Sequence, residues 1–169
     1  MAKGISVFLG LDWSLEHNLE YLTQAAQAGF SRVFTSLHIP EANYSQLIAE
    51  FKQILDLATQ LNMTVIADIS PNAYQYLQVE AHDLAAFKKI GLAGIRLDYG
   101  FAPELIASYT NNDVGLLIEL NASTMSAEFM QQIMGAGANA KNISACHNYY
   151  PRQNTGISIA MNGYLLKHT

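Results

Sequence analysis

Five hydrophobic segments of this chain each end in a carboxylate, at Asp12, Glu41, Asp68, Asp98 and Glu119. Helical patterns separate the segments, as expected for a repeated unit of strand and helix. Side chains that follow the carboxyl ends of parallel strands meet at one end of the sheet. The spacing therefore predicts a group of acids at that end, where they could act as proton donors, bases or nucleophiles.

Arg96 and Asp98 have the same parity within the fourth segment, so both side chains leave one face of a strand. Charged groups inside a hydrophobic run are costly to bury unless they are paired or functional. One interpretation is a structural ion pair. The other is a site in which Arg96 binds an anion and Asp98 acts as an acid, a base or a nucleophile.

Glu119 and Asn121 share a face of the next strand in the same way. A carboxylate beside an amide suits a catalytic acid next to a group that orients a sugar hydroxyl or acetamido group. Alternatively, Asn121 caps the turn that follows. Asp68 ends the third segment and is the third catalytic candidate, unless it caps the residues after it.

Polar residues near two other strand ends are candidates for substrate binding. His38 and Glu41 follow the second strand, although a packed histidine and a first-turn helix acid are the commoner explanations. Polar and aromatic side chains after the sixth strand suit a sugar ring, and an arginine among them would add a cation for an anionic substrate. These residues are His147, Asn148, Tyr149 and Arg152.

The composition disfavours several classes of protein. The net charge is −5, and no run of basic residues is present, which argues against a nucleic-acid partner. No apolar stretch approaches the roughly 18 residues of a membrane span, and the first residues indicate a strand rather than a signal peptide. The single cysteine, Cys146, is typical of a reducing cytoplasm. We therefore expect a cytoplasmic protein without a membrane partner; its oligomeric state stays open.

Hydrophobic periodicity and capping residues predict six strands and the helices between them. The predicted helices begin at caps or breaks in the chain. They cover residues 15 to 29 after a Ser14 cap, 44–61, a region around 84–90, 102–109, and a segment from Glu128 to about 135 after a Ser126 cap. The predicted strands are 5–11, 32–37, 63–68, 94–98, 114–120 and 142–147.

Six repeated units in a single domain, residues 1–169, fit two architectures. An open doubly wound sheet should carry a glycine-rich turn after its first strand, and this chain has none. An incomplete (β/α)8 barrel of the TIM type is therefore favoured. No zinc, calcium or phosphate-loop motif is present, and no lysine follows a strand to hold pyridoxal phosphate. We predict neither a cofactor nor a metal; carboxylates that hold Mg²⁺ loosely are a minor alternative.

Five motifs in order resemble the 6-phospho-N-acetylmuramidase family. They are RVFTSLHIPE (32–41), IADISP (66–71), GIRLDYGF (94–101), ELNAST (119–124) and CHNYYPR (146–152), the last followed by Thr155 and Gly156. The resemblance implies an N-terminal (β/α)8 barrel, followed in the family by a cyclophilin-like domain that we expect to be absent here. It also implies hydrolysis of phosphorylated N-acetylmuramyl-N-acetylglucosamine to MurNAc-6-phosphate and GlcNAc, during peptidoglycan recycling.

Glycoside hydrolysis uses two carboxyl groups, so the resemblance assigns roles to the acids. Asp98, held ionised by Arg96, is predicted to be the nucleophile or base, and Glu119 the proton donor. Asp68 is the reserve candidate. We expect a truncated barrel, in which activity is uncertain. The alternatives are a sugar-phosphate isomerase or aldolase, and a non-catalytic barrel that binds a sugar phosphate.

Overall fold

Most of the chain is described by the computed structural model. The described residues are 3–9, 13–37, 43–69, 71, 73–80, 83–97, 100–121 and 126–146. Among them are all six predicted strands and every predicted helix, with shifts of one to three residues at most ends.

Six strands form one sheet in which every neighbouring pair is parallel. The spatial order equals the chain order, so each strand lies beside the one before it. A doubly wound sheet would reverse its order at a switch point. The strands are β1 (Gly4–Ser6), β2 (Arg32–Ser36), β3 (Thr64–Ile69), β4 (Gly94–Leu97), β5 (Leu117–Asn121) and β6 (Ile143–Cys146). The fold is therefore α/β of the TIM-barrel class, as predicted, and the described residues contain five complete βα units and a sixth strand.

Side-chain caps define where most helices begin. Ser14, Asn43, Asp83 and Ser126 each accept a hydrogen bond from a backbone N–H of the first turn, which satisfies a donor that the helix leaves open. The helices are α1 (Leu15–Gln27), α2 (Tyr44–Gln60), α3 (Ala73–Leu77), α4 (Leu84–Ile90), α5 (Pro103–Thr110) and α6 (Ala127–Gly135). The sequence did not predict α3 or the 3-10 turn at Ala140–Asn142.

Alternate residues of each strand face opposite sides of the sheet. One set is apolar except for the buried Thr35. It joins the helices in a single core, for example through Val33, Val65, Ile95 and Ile118. Consecutive right-handed crossovers put all the helices on this side. The other set faces away from the helices, into the concave face of the curved sheet, and contains the charged side chains.

The fifth strand begins later than predicted. We expected 114–120, whereas β5 is Leu117–Asn121. The Asn112 side chain both donates to the carbonyl and accepts from the N–H of Leu116, and Gly115 has a positive φ of 68°. These residues form a turn and cannot pair with β4. Glu119 consequently lies in the middle of the strand and not at its end.

Candidate active site

Four polar residues on neighbouring strands form a row across the concave face. Strand pairing places Ser36 beside Asp68, Asp68 beside Arg96, and Arg96 beside Glu119. Residues paired in a parallel sheet point to the same side, so all four side chains share the concave face. This row contains three of the predicted site residues.

Glu119 is only 1% exposed and binds two guanidinium groups. Its Oε2 accepts a hydrogen bond of 3.4 Å from Nη2 of Arg96, and its Oε1 forms an ion pair with Nη2 of Arg32. Opposite charges at this range favour the ionised carboxylate. A proton donor needs the neutral form, and the role of Glu119 as that donor stays a prediction.

Arg96 is as deeply buried as Glu119, with 1% of its surface exposed. Its guanidinium carbon lies 3.8 Å from the centre of the Phe34 ring, which also points into the concave face. The ring and Glu119 together compensate a buried cation that would otherwise be costly. Arg96 thus belongs to a buried ion pair, which is one of the two interpretations of the sequence; binding of an anion by Arg96 stays a prediction.

Asp68 differs from Glu119 because it is partly exposed. It lies one strand from Arg96, near the carboxyl end of β3. Its side chain is therefore partly open to the concave face, although Oδ1 is buried. Asn121, at the carboxyl end of β5, is 6% exposed and lies beside Cys146 in the sheet.

Seven predicted site residues lie outside the described residues, and nothing here tests them. They are His38, Glu41, Asp98, His147, Asn148, Tyr149 and Arg152. Six of them were candidates for substrate binding, and Asp98 was the predicted nucleophile or base.

A protein family described as "6-phospho-N-acetylmuramidase, N-terminal" matches residues 3–165 of the chain. The chain belongs to this family. The match confirms the resemblance found in the five motifs, and the family indicates a glycosidase.

Two solved structures are similar to this muramidase-family domain in sequence as well as in fold. One is an uncharacterised protein from B. cereus, with 38% identity and a TM-score of 0.66 over 93% of this chain. The other is a conserved protein from Enterococcus faecalis of unknown function, with 32% identity and a TM-score of 0.70 over 91%. The match covers 41% of each of those proteins.

A more distant match shares the fold alone. Deoxyribose phosphate aldolase from Aeropyrum pernix has 18% identity and a TM-score of 0.51 over 82% of this chain and 62% of its own. No match was found among curated proteins.

Two residues of the muramidase-family site were missed by sequence reasoning. Arg32 and Phe34 begin the second strand with the same parity as Ser36, and only three arginines occur in the chain. Their shared parity with Ser36 could have indicated that both side chains lie on the concave face. Their partners were not predictable, because Glu119 lies 87 residues from Arg32 in the chain.

Other features of the domain lie away from this site. A groove of about 580 Å³ between α2, α3 and α4 is on the helix side of the sheet and has Lys52 and Tyr76 in its lining. The described residues include no cluster of three or more His, Cys, Asp or Glu side chains suited to a metal. No helix among them is long and apolar enough to span a membrane.

Proposed function

We propose that this chain forms the catalytic barrel of a cytoplasmic glycoside hydrolase. Its substrate is 6-phospho-N-acetylmuramyl-N-acetylglucosamine, and its products are MurNAc-6-phosphate and GlcNAc, formed during peptidoglycan recycling. The observation that carries this proposal is the family match over residues 3–165. The concave face supports it, because carboxylates and guanidinium groups gather there, as an anionic sugar substrate requires.

We assign the two catalytic carboxyl groups to Asp68 and Asp98. Hydrolysis requires one group that protonates the leaving oxygen and a second that attacks the sugar or activates water. Asp68 is partly exposed on the concave face. Asp98 directly follows β4 in the sequence and has the parity of Arg96. Glu119 keeps the charged form that its two arginines favour and shapes the site without transferring a proton.

Two substrates distinguish the roles of the two acids. The experiment uses the purified protein as its gene encodes it, with Asp68→Asn, Asp98→Asn and the exposed control Asp56→Asn. Each variant is assayed on the phosphorylated disaccharide and on the 4-nitrophenyl glycoside of 6-phospho-MurNAc. Nitrophenolate leaves without protonation, so the variant that lacks the acid should lose the disaccharide reaction and retain the nitrophenyl reaction.

The variant that lacks the base or nucleophile should lose both reactions, by about 100-fold or more. The Asp56→Asn control should match the wild type. If both Asp68→Asn and Asp98→Asn retain normal turnover of the disaccharide, the assignment of the pair is overturned. Absence of disaccharide hydrolysis by the wild-type protein would overturn the proposed function itself.

A further inference from the structure

The ion pair between Arg32 and Glu119 joins strands that are not neighbours. β2 and β5 are separated by β3 and β4. Since adjacent strands lie about 4.8 Å apart, a flat sheet would hold β2 and β5 about 14 Å from each other. The direct contact therefore crosses the concave face, which the curvature of the sheet makes possible.

Arg32, Glu119 and Arg96 form one connected group, the cross-sheet clamp. The Arg32 side chain is 23% exposed, at the amino end of β2, whereas the other two are buried to 1% and 2% exposure. Glu119 lies between the two cations, and the Phe34 ring covers Arg96. Arg32 thus lies at the opposite end of β2 from the carboxyl ends of the strands, and its ion pair with Glu119 connects it to the site.

We propose that Arg32 is a positioning residue of the active site. It holds Glu119, Glu119 holds Arg96, and Arg96 is in turn the strand neighbour of Asp68. The clamp thereby fixes the place of the cation beside a catalytic carboxyl group. The effect on catalysis rests on the proposed function, whereas the clamp itself does not.

The charges of the clamp predict the direction in which each variant shifts the pH profile of the reaction. The charged groups of the described strands that face the site are Arg32 on β2, Asp68 on β3, Arg96 on β4 and Glu119 on β5, and Asp98 follows β4. Removing a cation raises the pKa of a nearby carboxyl group, and removing an anion lowers it. Arg32→Met and Glu119→Gln should therefore shift the pH profile in opposite directions.

The experiment measures the disaccharide kcat/KM against pH for Arg32→Met, Arg32→Lys and Glu119→Gln. Lys141→Met is the charge-matched control for the arginine, because Lys141 is exposed in the 3-10 turn before β6. Glu80→Gln, at an exposed loop position, is the control for Glu119. Arg32→Met should lower kcat/KM by about 10- to 100-fold and move the basic limb to higher pH. Glu119→Gln should move that limb to lower pH, and Arg32→Lys should recover part of the rate.

Stability provides a readout that does not depend on the reaction. Urea unfolding of Arg32→Met, Glu119→Gln and the double variant forms a cycle. Each variant changes the equilibrium constant of unfolding by some factor. If the two residues are coupled, the factor for the double variant should differ from the product of the two single-variant factors by more than about twofold. If the double-variant factor equals the product of the two single-variant factors, the clamp is overturned, whether or not the disaccharide is a substrate. A rate and pH profile of Arg32→Met equal to those of Lys141→Met would overturn the positioning role.

Discussion

The two described carboxylates of the site differ in their surroundings. Glu119 is enclosed by the strands and holds two guanidinium groups, so its charge is balanced by the protein. Asp68 is one residue from the carboxyl end of β3 and partly exposed. Residue type alone does not separate these roles, because an aspartate and a glutamate offer the same chemistry. For Glu119, the two guanidinium groups against its oxygens favour the charged form.

A glycine on the concave face sets how closely β4 and β5 approach. A Cβ at Gly94 would lie 2.7 Å from the Leu117 carbonyl oxygen and 2.8 Å from the Ile66 side chain. Gly94→Ala should therefore destabilise the domain by about 1–3 kcal/mol, because overpacking forces the strands apart. The same shift should lower hydrolysis, since Arg96 is two residues away in β4. Urea unfolding and disaccharide turnover measure the two effects.

Gly135 is the matched control for this substitution, because a Cβ there has no atom within 4 Å. Gly135 closes α6, where alanine is the better helix former. Gly135→Ala should leave stability unchanged or raise it slightly. If Gly94→Ala unfolds at the same urea concentration as Gly135→Ala, close packing at Gly94 does not limit the sheet.

At the scale of elements, two tyrosines connect α3 with α5. The hydroxyl groups of Tyr74 and Tyr109 are 2.5 Å apart, and the Tyr74 ring packs edge-on against Phe87 and Phe101. Burial raises the pKa of Tyr74 far above its ordinary value of 10.0, and the hydrogen bond to Tyr109 adds to the shift. Burial also raises the pKa of Tyr109, although its hydrogen bond to Tyr74 opposes this.

The raised pKa values predict a loss of stability at alkaline pH. The unfolded chain releases its tyrosine protons near pH 10, whereas the folded pair retains them. Above that pH the folded state binds more protons, so the free energy of unfolding falls as pH rises. Tyr109→Phe should lower stability at pH 7 by about 1–3 kcal/mol and should weaken the fall above pH 10. Urea unfolding between pH 7 and 11 measures both.

Tyr76→Phe is the control for the tyrosine pair, since the Tyr76 ring is 37% exposed. This variant retains both buried hydroxyl groups and should keep the wild-type slope above pH 10. Equal slopes for Tyr109→Phe and Tyr76→Phe would mean that other groups cause the alkaline transition.

At the scale of the whole molecule, one apolar core runs along the helix side of the sheet. It includes buried side chains from α1 to α6 and from all strands between β1 and β5, with Ile143 of β6 packed against it. A continuous core couples the stability of distant elements. We therefore expect the domain to unfold in a single transition.

Substitutions that shorten one buried side chain at each end of the core test this cooperativity. Leu22 in α1 and Ile133 in α6 are both fully buried. Leu22→Ala and Ile133→Ala should each cost about 2–5 kcal/mol and should shift the far-UV and near-UV circular dichroism transitions together. Met134→Ala is the neighbouring control, because Met134 is 39% exposed. Separate midpoints for the two signals in either core variant would contradict a single cooperative unit.

Local patterns in the sequence determined the strands, the family and every helix except α3 and the 3-10 turn. Apolar spacing and capping residues identified α1 and α2 within one to two residues, because periodic burial and caps act over a few neighbouring positions. Side chains alternate between the two faces of a strand, which is also a local pattern, and this alternation placed Arg96 on the concave face. The five motifs indicated the family that the comparison then confirmed.

Tertiary structure alone decided which charges meet. Arg32 and Glu119 are 87 residues apart and lie on strands that do not touch, so no local pattern links them. Their contact depends on the curvature and register of the whole sheet, which arise from packing among distant segments. The same register placed Glu119 between two cations and left Asp68 accessible. Periodicity specifies the face on which a side chain lies, and only the folded sheet specifies its neighbours.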